Sequence, residues 1–143
     1  MKKTRILFLC TGNSCRSQMA EGWARALKSE ELDVASAGIV RHGMNPRAVQ
    51  AMAEAGVDIS GQSSKTIDDL PSLDFDWIIT LCGHANESCP MVFGPAKRLH
   101  VGFDDPPALA AGAVTEEEAM APYRRVRDEI KQFIEGLPES LSA

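Results

Sequence analysis

Eight residues near the start of the chain combine a nucleophile, small residues and a cation. They are residues 10–17, read Cys-Thr-Gly-Asn-Ser-Cys-Arg-Ser, and follow a short apolar run at residues 6–9. A helical pattern comes next, so the sequence predicts a strand-to-helix loop whose backbone N–H groups converge on one point. Such a loop binds an oxyanion. Cys10 would supply a nucleophile beside a tetrahedral oxyanion, and Arg16 would supply a bidentate cation.

Each residue of this loop has a predicted role. A helix N-terminus, converging amides and a nearby arginine lower a cysteine pKa from about 8.5 to roughly 3.5–7.5, so we expect Cys10 to be a thiolate at neutral pH. Ser17 is expected to donate a hydrogen bond to that thiolate. An ordinary turn with a buried cysteine is the alternative. The predicted substrate-binding residues are Thr11, Gly12, Asn13, Ser14, Cys15 and Arg16.

The second loop cysteine has two interpretations. Cys15 either fills the loop or forms a disulfide with Cys10 in a protective or inhibitory side reaction. We favour the structural role.

Apolar runs alternating with helical patterns predict the fold class. Strands are expected at residues 5–9, 33–38, 77–81 and 98–101, with helices starting at a Ser17 cap and near Pro46. Residues 58–73 indicate a loop with one short helical turn, and residues 102–107 a loop because Pro106 and Pro107 cannot join a ladder. The sequence therefore predicts an α/β fold, a four-stranded parallel sheet with helices on both faces.

The last helix carries an internal proline. Thr115 and Glu118 form a capping-box pattern ahead of an apolar stripe, and Pro122 interrupts it. Proline inside a helix costs about 3 kcal/mol. The helix is therefore expected either to kink at Pro122 or to start near Ala121.

Three reactive side chains fall at predicted strand ends. Cys10 follows the first strand, Cys82 the third and Asp105 the fourth. Ligands of parallel sheets bind at the carboxyl ends of the strands, so we expect these residues to lie close together. An Asp-Pro pair is also common in turns, which is the alternative for Asp105.

Composition and net charge indicate which partners and which cellular location to expect. The chain has 143 residues, 44% of them hydrophobic, and a net charge of -5. We expect a single domain over residues 1–143, a cytoplasmic location and a monomer, without a membrane or nucleic-acid partner.

The four cysteines are interpreted as catalytic rather than structural residues. Structural disulfides are rare in cytosolic proteins, and six residues separate Cys82 from Cys89, which is longer than the usual zinc knuckle. His84 lies between them and is interpreted as a solvated loop residue. His42 and His100 have no partner at ligand spacing, which disfavours zinc.

A family resemblance extends these observations. The Cys-x5-Arg-Ser loop after a first strand resembles that of the low-molecular-weight protein tyrosine phosphatases. The longer match covers residues 10–23, Cys82, Cys89 with Pro90, and residues 102–106, and it resembles the thioredoxin-coupled arsenate reductases that share this fold. The resemblance implies a low-molecular-weight phosphatase-like sheet and reduction of arsenate to arsenite.

The resemblance also implies a role for each reactive residue. Cys10 would attack arsenate held by Arg16, while Asp105 protonates the leaving hydroxyl. Cys82 and then Cys89 would resolve the adduct, and thioredoxin would reduce the final disulfide. No tightly bound cofactor and a weak phosphatase side activity are expected.

Some members of this family bind a monovalent cation beside the loop. The matching positions are Asn13, Glu21, Ser36 and Ser63, and the resemblance thus implies a potassium site. Ser63 stands where a threonine is expected. Alternatively, Asn13 and Ser36 only brace the loop by hydrogen bonds.

Two other functions fit parts of the sequence. A phosphatase would use water in place of Cys82, but it needs no pair of resolving thiols. A redox- or metal-sensing module would use the four thiols, but it leaves Arg16 and Asp105 unexplained.

Overall fold

The computed structural model describes residues 3–82 and 96–141, without the side chain of Cys82. Four parallel strands form one sheet in the order β2-β1-β3-β4, which confirms the predicted fold class. Their bounds are β1 Thr4–Leu9, β2 Leu32–Ala37, β3 Trp77–Cys82 and β4 Lys97–Phe103.

In the described residues, the four α-helices pack on one face of this sheet, and loop segments with a short 3-10 turn pack on the other. Ile6 and Phe8 of β1 pack into a core with the four α-helices. Leu7 and Leu9 point to the opposite face, because side chains alternate along a strand, and pack there with Phe75 and the short turn near residue 67. The helical elements are α1 Arg16–Leu27, α2 Pro46–Glu54, α3 Pro106–Ala110, α4 Glu116–Glu135 and the 3-10 turns Ile67–Asp69 and Glu139–Leu141.

Two sequence-based boundaries were wrong, and the structure decides between the two starts expected for the last helix. Helix α1 begins at Arg16 with Cys15 at the cap position, so Ser17 does not cap it. Strand β4 continues to Phe103, and Pro106 and Pro107 occupy the first turn of α3, where a missing N–H costs nothing. Helix α4 runs through Pro122 as one helix from Glu116, so a late start is excluded.

Other local predictions were confirmed. Pro46 opens α2, and the Asn45 side chain caps it by accepting from Arg47 N at 2.9 Å. Thr115 Oγ1 accepts from Glu118 N at 3.1 Å at the start of α4. Among residues 3–82 and 96–141, no helix has the length and apolarity needed to cross a membrane.

Candidate active site

The loop between β1 and α1 turns its carbonyl groups outward. Each of four consecutive carbonyls accepts a hydrogen bond from the surrounding chain: Thr11 from Ile39 N (2.9 Å), Gly12 from His42 N (3.0 Å), Asn13 from Gln18 Nε2 (3.0 Å) and Ser14 from Asn45 N (3.0 Å). In a trans peptide the N–H group points away from the carbonyl. The amides of residues 12–15 therefore face the inside of the loop, as an anion-binding nest requires.

Neighbouring chain segments press closely on this loop. A Cβ added at Gly38 would lie 2.6 Å from Thr11 O and 2.8 Å from Cys10 O. A Cβ at Gly12 would lie 2.1 Å from the His42 ring. Gly38 is therefore needed for the close approach of these backbones, whereas the exposed His42 side chain could move aside for a Cβ at Gly12.

Asn13 adopts an unusual backbone conformation in the loop. Its φ is +48°, in the left-handed region that non-glycine residues rarely adopt. Its side chain is fully buried, and its amide donates to Ser17 Oγ at 2.8 Å. Because Ser17 Oγ accepts this bond, its own hydrogen is left for another acceptor.

The guanidinium of Arg16 is buried and partly anchored. Nη1 donates to the Phe103 carbonyl at 3.0 Å, and Nη2 lies 3.6 Å from Asp105 Oδ1. Nε is buried and has no hydrogen-bond partner among the described residues. A buried, unsatisfied donor is costly. An oxyanion in the loop would supply the missing acceptor.

The two adjacent aspartates after β4 have different partners. Asp104 accepts from Arg125 Nη2 of α4 at 2.8 Å on the surface. Asp105 occupies the cap position of α3 without capping it through its side chain. Its half-exposed carboxylate faces Arg16 instead. Asp105 is thus the aspartate that lies at the site.

Both loop cysteines are buried thiols. Cys10 is 4% exposed and Cys15 is 3% exposed. Burial raises the pKa of the Cys15 thiol far above its usual value, the negative charge of Cys10 raises it further, and Arg16 only partly opposes this. Cys15 therefore stays protonated at neutral pH, which supports its structural interpretation.

Cys82 ends the strand next to the loop. Leu9 of β1 aligns with Thr80 of β3, and Cys82 aligns with Phe103 of β4. The backbone of Cys82 is thus at the same edge of the sheet as Cys10, beside the carbonyl that anchors Arg16. Cys89 and His84 lie outside the described residues, so their predicted roles remain predictions.

The four predicted cation ligands are brought together, but three of them already accept hydrogen bonds and Ser36 Oγ donates one to Glu21. Asn13 Oδ1 accepts from Gln18 Nε2 at 2.9 Å and Lys65 N at 2.8 Å. The Ser63 carbonyl accepts from Gln18 Nε2 and Lys65 Nζ, both at 3.0 Å. Two of the four residues therefore already use oxygen lone pairs on protein donors, and the Lys65 ammonium lies beside a third, Glu21, so the site of this chain is a poor fit for a bound metal ion.

Sequence reasoning missed three contributors to the site. Gln18 donates a hydrogen bond to the loop carbonyl of Asn13, and its place directly after Ser17 was the only signal in the sequence. Lys65 comes from a distant part of the chain with no motif around it. Phe103 lies in the matched residues 102–106, but the sequence did not point to its backbone carbonyl. In the described residues, no cluster of three or more histidine, cysteine or acidic side chains could hold a metal ion.

Comparison with known proteins gives a consistent result. The model of a family described as low molecular weight phosphotyrosine protein phosphatase matches residues 5–143. The arsenate reductase of Halalkalibacterium halodurans is 54% identical over 140 residues, which cover 98% of this chain and 99% of that protein.

Solved structures also resemble this chain. An arsenate reductase in the phosphate-binding state has a TM-score of 0.74 at 32% identity, covering 97% of this chain and 99% of the other. A thioredoxin-dependent arsenate reductase of Corynebacterium glutamicum has a TM-score of 0.63 at 23% identity, covering 99% of this chain and 64% of the other. The second likeness shows the fold alone.

Proposed function

The chain belongs to the low molecular weight phosphotyrosine protein phosphatase family, and from this premise we propose that it is an arsenate reductase that passes electrons through three cysteines. The observation that carries the proposal is the position of Cys82 on the strand beside the anion-binding loop. The 54% identity to a named arsenate reductase over nearly the whole chain supports the same reaction.

The first step is attack of Cys10 on arsenate. The loop amides and Arg16 Nε hold the arsenate oxygens. The Cys10 thiolate forms a sulfur–arsenic bond, and one hydroxyl leaves arsenic as water after taking a proton from Asp105. The hydroxyl of Ser17, oriented by Asn13, donates to the Cys10 sulfur and keeps it anionic before attack.

The second step reduces arsenic. The Cys82 thiolate attacks the Cys10 sulfur, so a Cys10–Cys82 disulfide forms and the sulfur–arsenic bond breaks. The electron pair of that bond stays on arsenic, which leaves as arsenite. Cys89 then attacks Cys82, which moves the disulfide to Cys82–Cys89 and restores the Cys10 thiolate.

Thioredoxin is proposed as the reductant. Its potential of about −270 mV is low enough to reduce many exposed disulfides. We also propose a cytoplasmic location, which fits a thioredoxin partner because thiols are kept reduced there. A monomer is proposed as well, because Cys10, Arg16, Asp105 and the backbone of Cys82 meet at one edge of the sheet within a single chain.

Phosphatase activity is the second candidate, because the matching family model is that of a phosphatase. Phosphate has the same tetrahedral shape as arsenate, so slow hydrolysis of aryl phosphates is expected. Water would then replace Cys82 as the second nucleophile. A dedicated phosphatase would be indifferent to the loss of Cys82 and Cys89.

A coupled assay distinguishes the two functions. NADPH oxidation is followed with thioredoxin and thioredoxin reductase, with and without arsenate, for the native chain and for Cys82→Ser and Cys89→Ser. Ser88→Ala serves as the matched control beside Cys89. We expect arsenate-dependent oxidation in the native chain and the control, and its loss in both cysteine variants. Unchanged aryl-phosphate turnover without any arsenate-dependent oxidation would overturn the proposal.

A further inference from the structure

Glu21 is a buried carboxylate beside the anion-binding loop. It lies on α1 with only 3% of its surface exposed, and Ser36 Oγ donates to its Oε1 at 2.5 Å. A buried carboxylate is costly unless a positive charge and hydrogen bonds compensate it. Arg25 Nε pairs with Oε2 at 3.0 Å but is largely exposed. Solvent screens that pair, so it compensates the buried charge only in part.

Lys65 brings a further positive charge from another part of the chain. Its Nζ lies 3.7 Å from Glu21 Oε1 and donates to the Ser63 carbonyl at 3.0 Å. The ammonium thus contacts oxygens of two of the four residues that would ligate a monovalent ion. A second cation in the same place would be repelled by the ammonium and would compete with it for the Ser63 carbonyl.

We propose that the Lys65 ammonium is the resident cation of this site, so that the chain needs no potassium to order its anion-binding loop. The backbone of Lys65 links this ammonium to the loop. Lys65 N donates to Asn13 Oδ1 at 2.8 Å, and Lys65 O accepts from Gly38 N at 2.9 Å. One residue therefore ties the loop, the end of β2 and the carboxylate of α1 together.

Lys65 is a positioning residue under this proposal. Asn13 holds a left-handed backbone conformation that costs free energy unless its surroundings impose it. Lys65 and Gln18 impose it through the two hydrogen bonds to Asn13 Oδ1. The Asn13 amide then orients Ser17. Fixing the ammonium fixes the backbone that supports Asn13, without any contact with substrate.

Thermal unfolding tests the proposal without reference to any catalysed reaction. The midpoint is measured in potassium chloride and in choline chloride at the same ionic strength, for the native chain, Lys65→Met and Lys28→Met. Lys28 pairs with Glu31 at 3.9 Å at the surface and is the matched control. Methionine keeps much of the lysine stem but removes the charge. Lys65→Arg tests whether another cation can serve.

The proposal predicts how the unfolding midpoint of each variant depends on the salt. The native chain and Lys28→Met should unfold at the same temperature in both salts. Lys65→Met should unfold about 5 °C lower in choline chloride, because Glu21 is left without its cation, and potassium should recover at least half of the loss. Adding Glu21→Gln to Lys65→Met should abolish this recovery, and Lys65→Arg should restore part of the native midpoint.

Several results would overturn the proposal. A potassium-specific rise of more than about 3 °C in the native chain would show that the site takes the ion despite Lys65. This measurement needs no variant and holds even if Lys65→Met does not fold. An undiminished midpoint for Lys65→Met, or a loss that potassium does not reverse, would equally contradict the resident-cation role.

Discussion

Arg16 Nη2 lies 3.6 Å from Asp105 Oδ1, across the edge of the sheet where β1 and β4 end. The same guanidinium donates to the Phe103 carbonyl, two residues before Asp105. This ion pair thus holds the guanidinium that would bind the substrate next to the carboxyl group that would donate a proton to it. The relationship assigns Asp105, and not its neighbour Asp104, to the active site.

Replacing the two aspartates separately tests this assignment. Asp105→Asn removes the proton donor, so arsenate-dependent kcat should fall by about 10²–10⁴. Asp104→Asn removes only a surface ion pair with Arg125, so kcat should be retained and the free energy of unfolding should change by less than about 1 kcal/mol. Steady-state kinetics and urea unfolding measure both. Equal kinetic losses in the two variants would contradict the assignment.

Arg16→Lys tests whether the planar, bidentate shape of the guanidinium matters, because lysine keeps the positive charge. Lysine cannot donate to Phe103 and to an oxyanion with the planar geometry of arginine. We expect kcat/KM for arsenate to fall by about 10²–10³, as for the loss of one oxyanion donor. Arg125→Lys, at the surface, should keep native kinetics. Native kcat/KM in Arg16→Lys would show that only the charge matters.

Burial of Cys15 predicts a decline of stability in alkaline solution. The pKa of its thiol is higher in the folded state than in the unfolded state, so the folded chain binds more protons above about pH 9. The free energy of unfolding should then fall as pH rises, with a contribution of at most about 1.4 kcal/mol per pH unit. Below pH 8 this contribution to the slope vanishes.

Cys15→Ala isolates this contribution. Urea unfolding between about pH 8 and pH 10.5 should give a shallower pH slope for the variant than for the native chain, whatever their difference at pH 7. Burial raises the pKa of Tyr123, and the charge of Cys15 adds to this, so both proteins carry Tyr123→Phe to remove that titration from the comparison. Identical slopes would contradict the burial of a protonated Cys15.

Much of the fold and of the anion-binding loop could be predicted from the sequence, because these features depend on residues that are close together in the chain. The apolar run of β1, the loop motif and Pro46 at the start of α2 each depend on neighbouring residues. Ser17 was misassigned as a cap because a capping serine and a buried active-site serine look alike in sequence. The structure instead buries it against Asn13.

The contacts that sequence reasoning missed are long-range. Lys65 contacts Asn13 only because residues 62–66 come back to the loop after α2. No repeating pattern in the sequence predicts this contact. The last two residues of β4, Gly102 and Phe103, were likewise predicted to lie in a loop, since the following prolines suggested one. Those prolines instead start α3, which places Asp105 between the strand and the helix.

Gly38→Ala tests the close approach behind the loop. The added Cβ would meet three backbone atoms of the loop at 2.6–2.9 Å, none of which can move like a side chain. We expect a loss of about 1–3 kcal/mol in the free energy of unfolding and weaker oxyanion binding. Gly61→Ala is the control, since its Cβ would meet nothing within 4 Å. Comparable stability of the two variants would refute the steric argument.

The cysteine relay is tested most directly by mapping disulfides after a single turnover. Reduced protein is mixed with one equivalent of arsenate without thioredoxin, quenched with acid, alkylated and digested for mass spectrometry. The relay predicts a Cys82–Cys89 disulfide in the native chain, a trapped Cys10–Cys82 disulfide in Cys89→Ser, and one arsenite released in each case. A Cys10–Cys15 disulfide, or arsenite released without any disulfide, would contradict the relay.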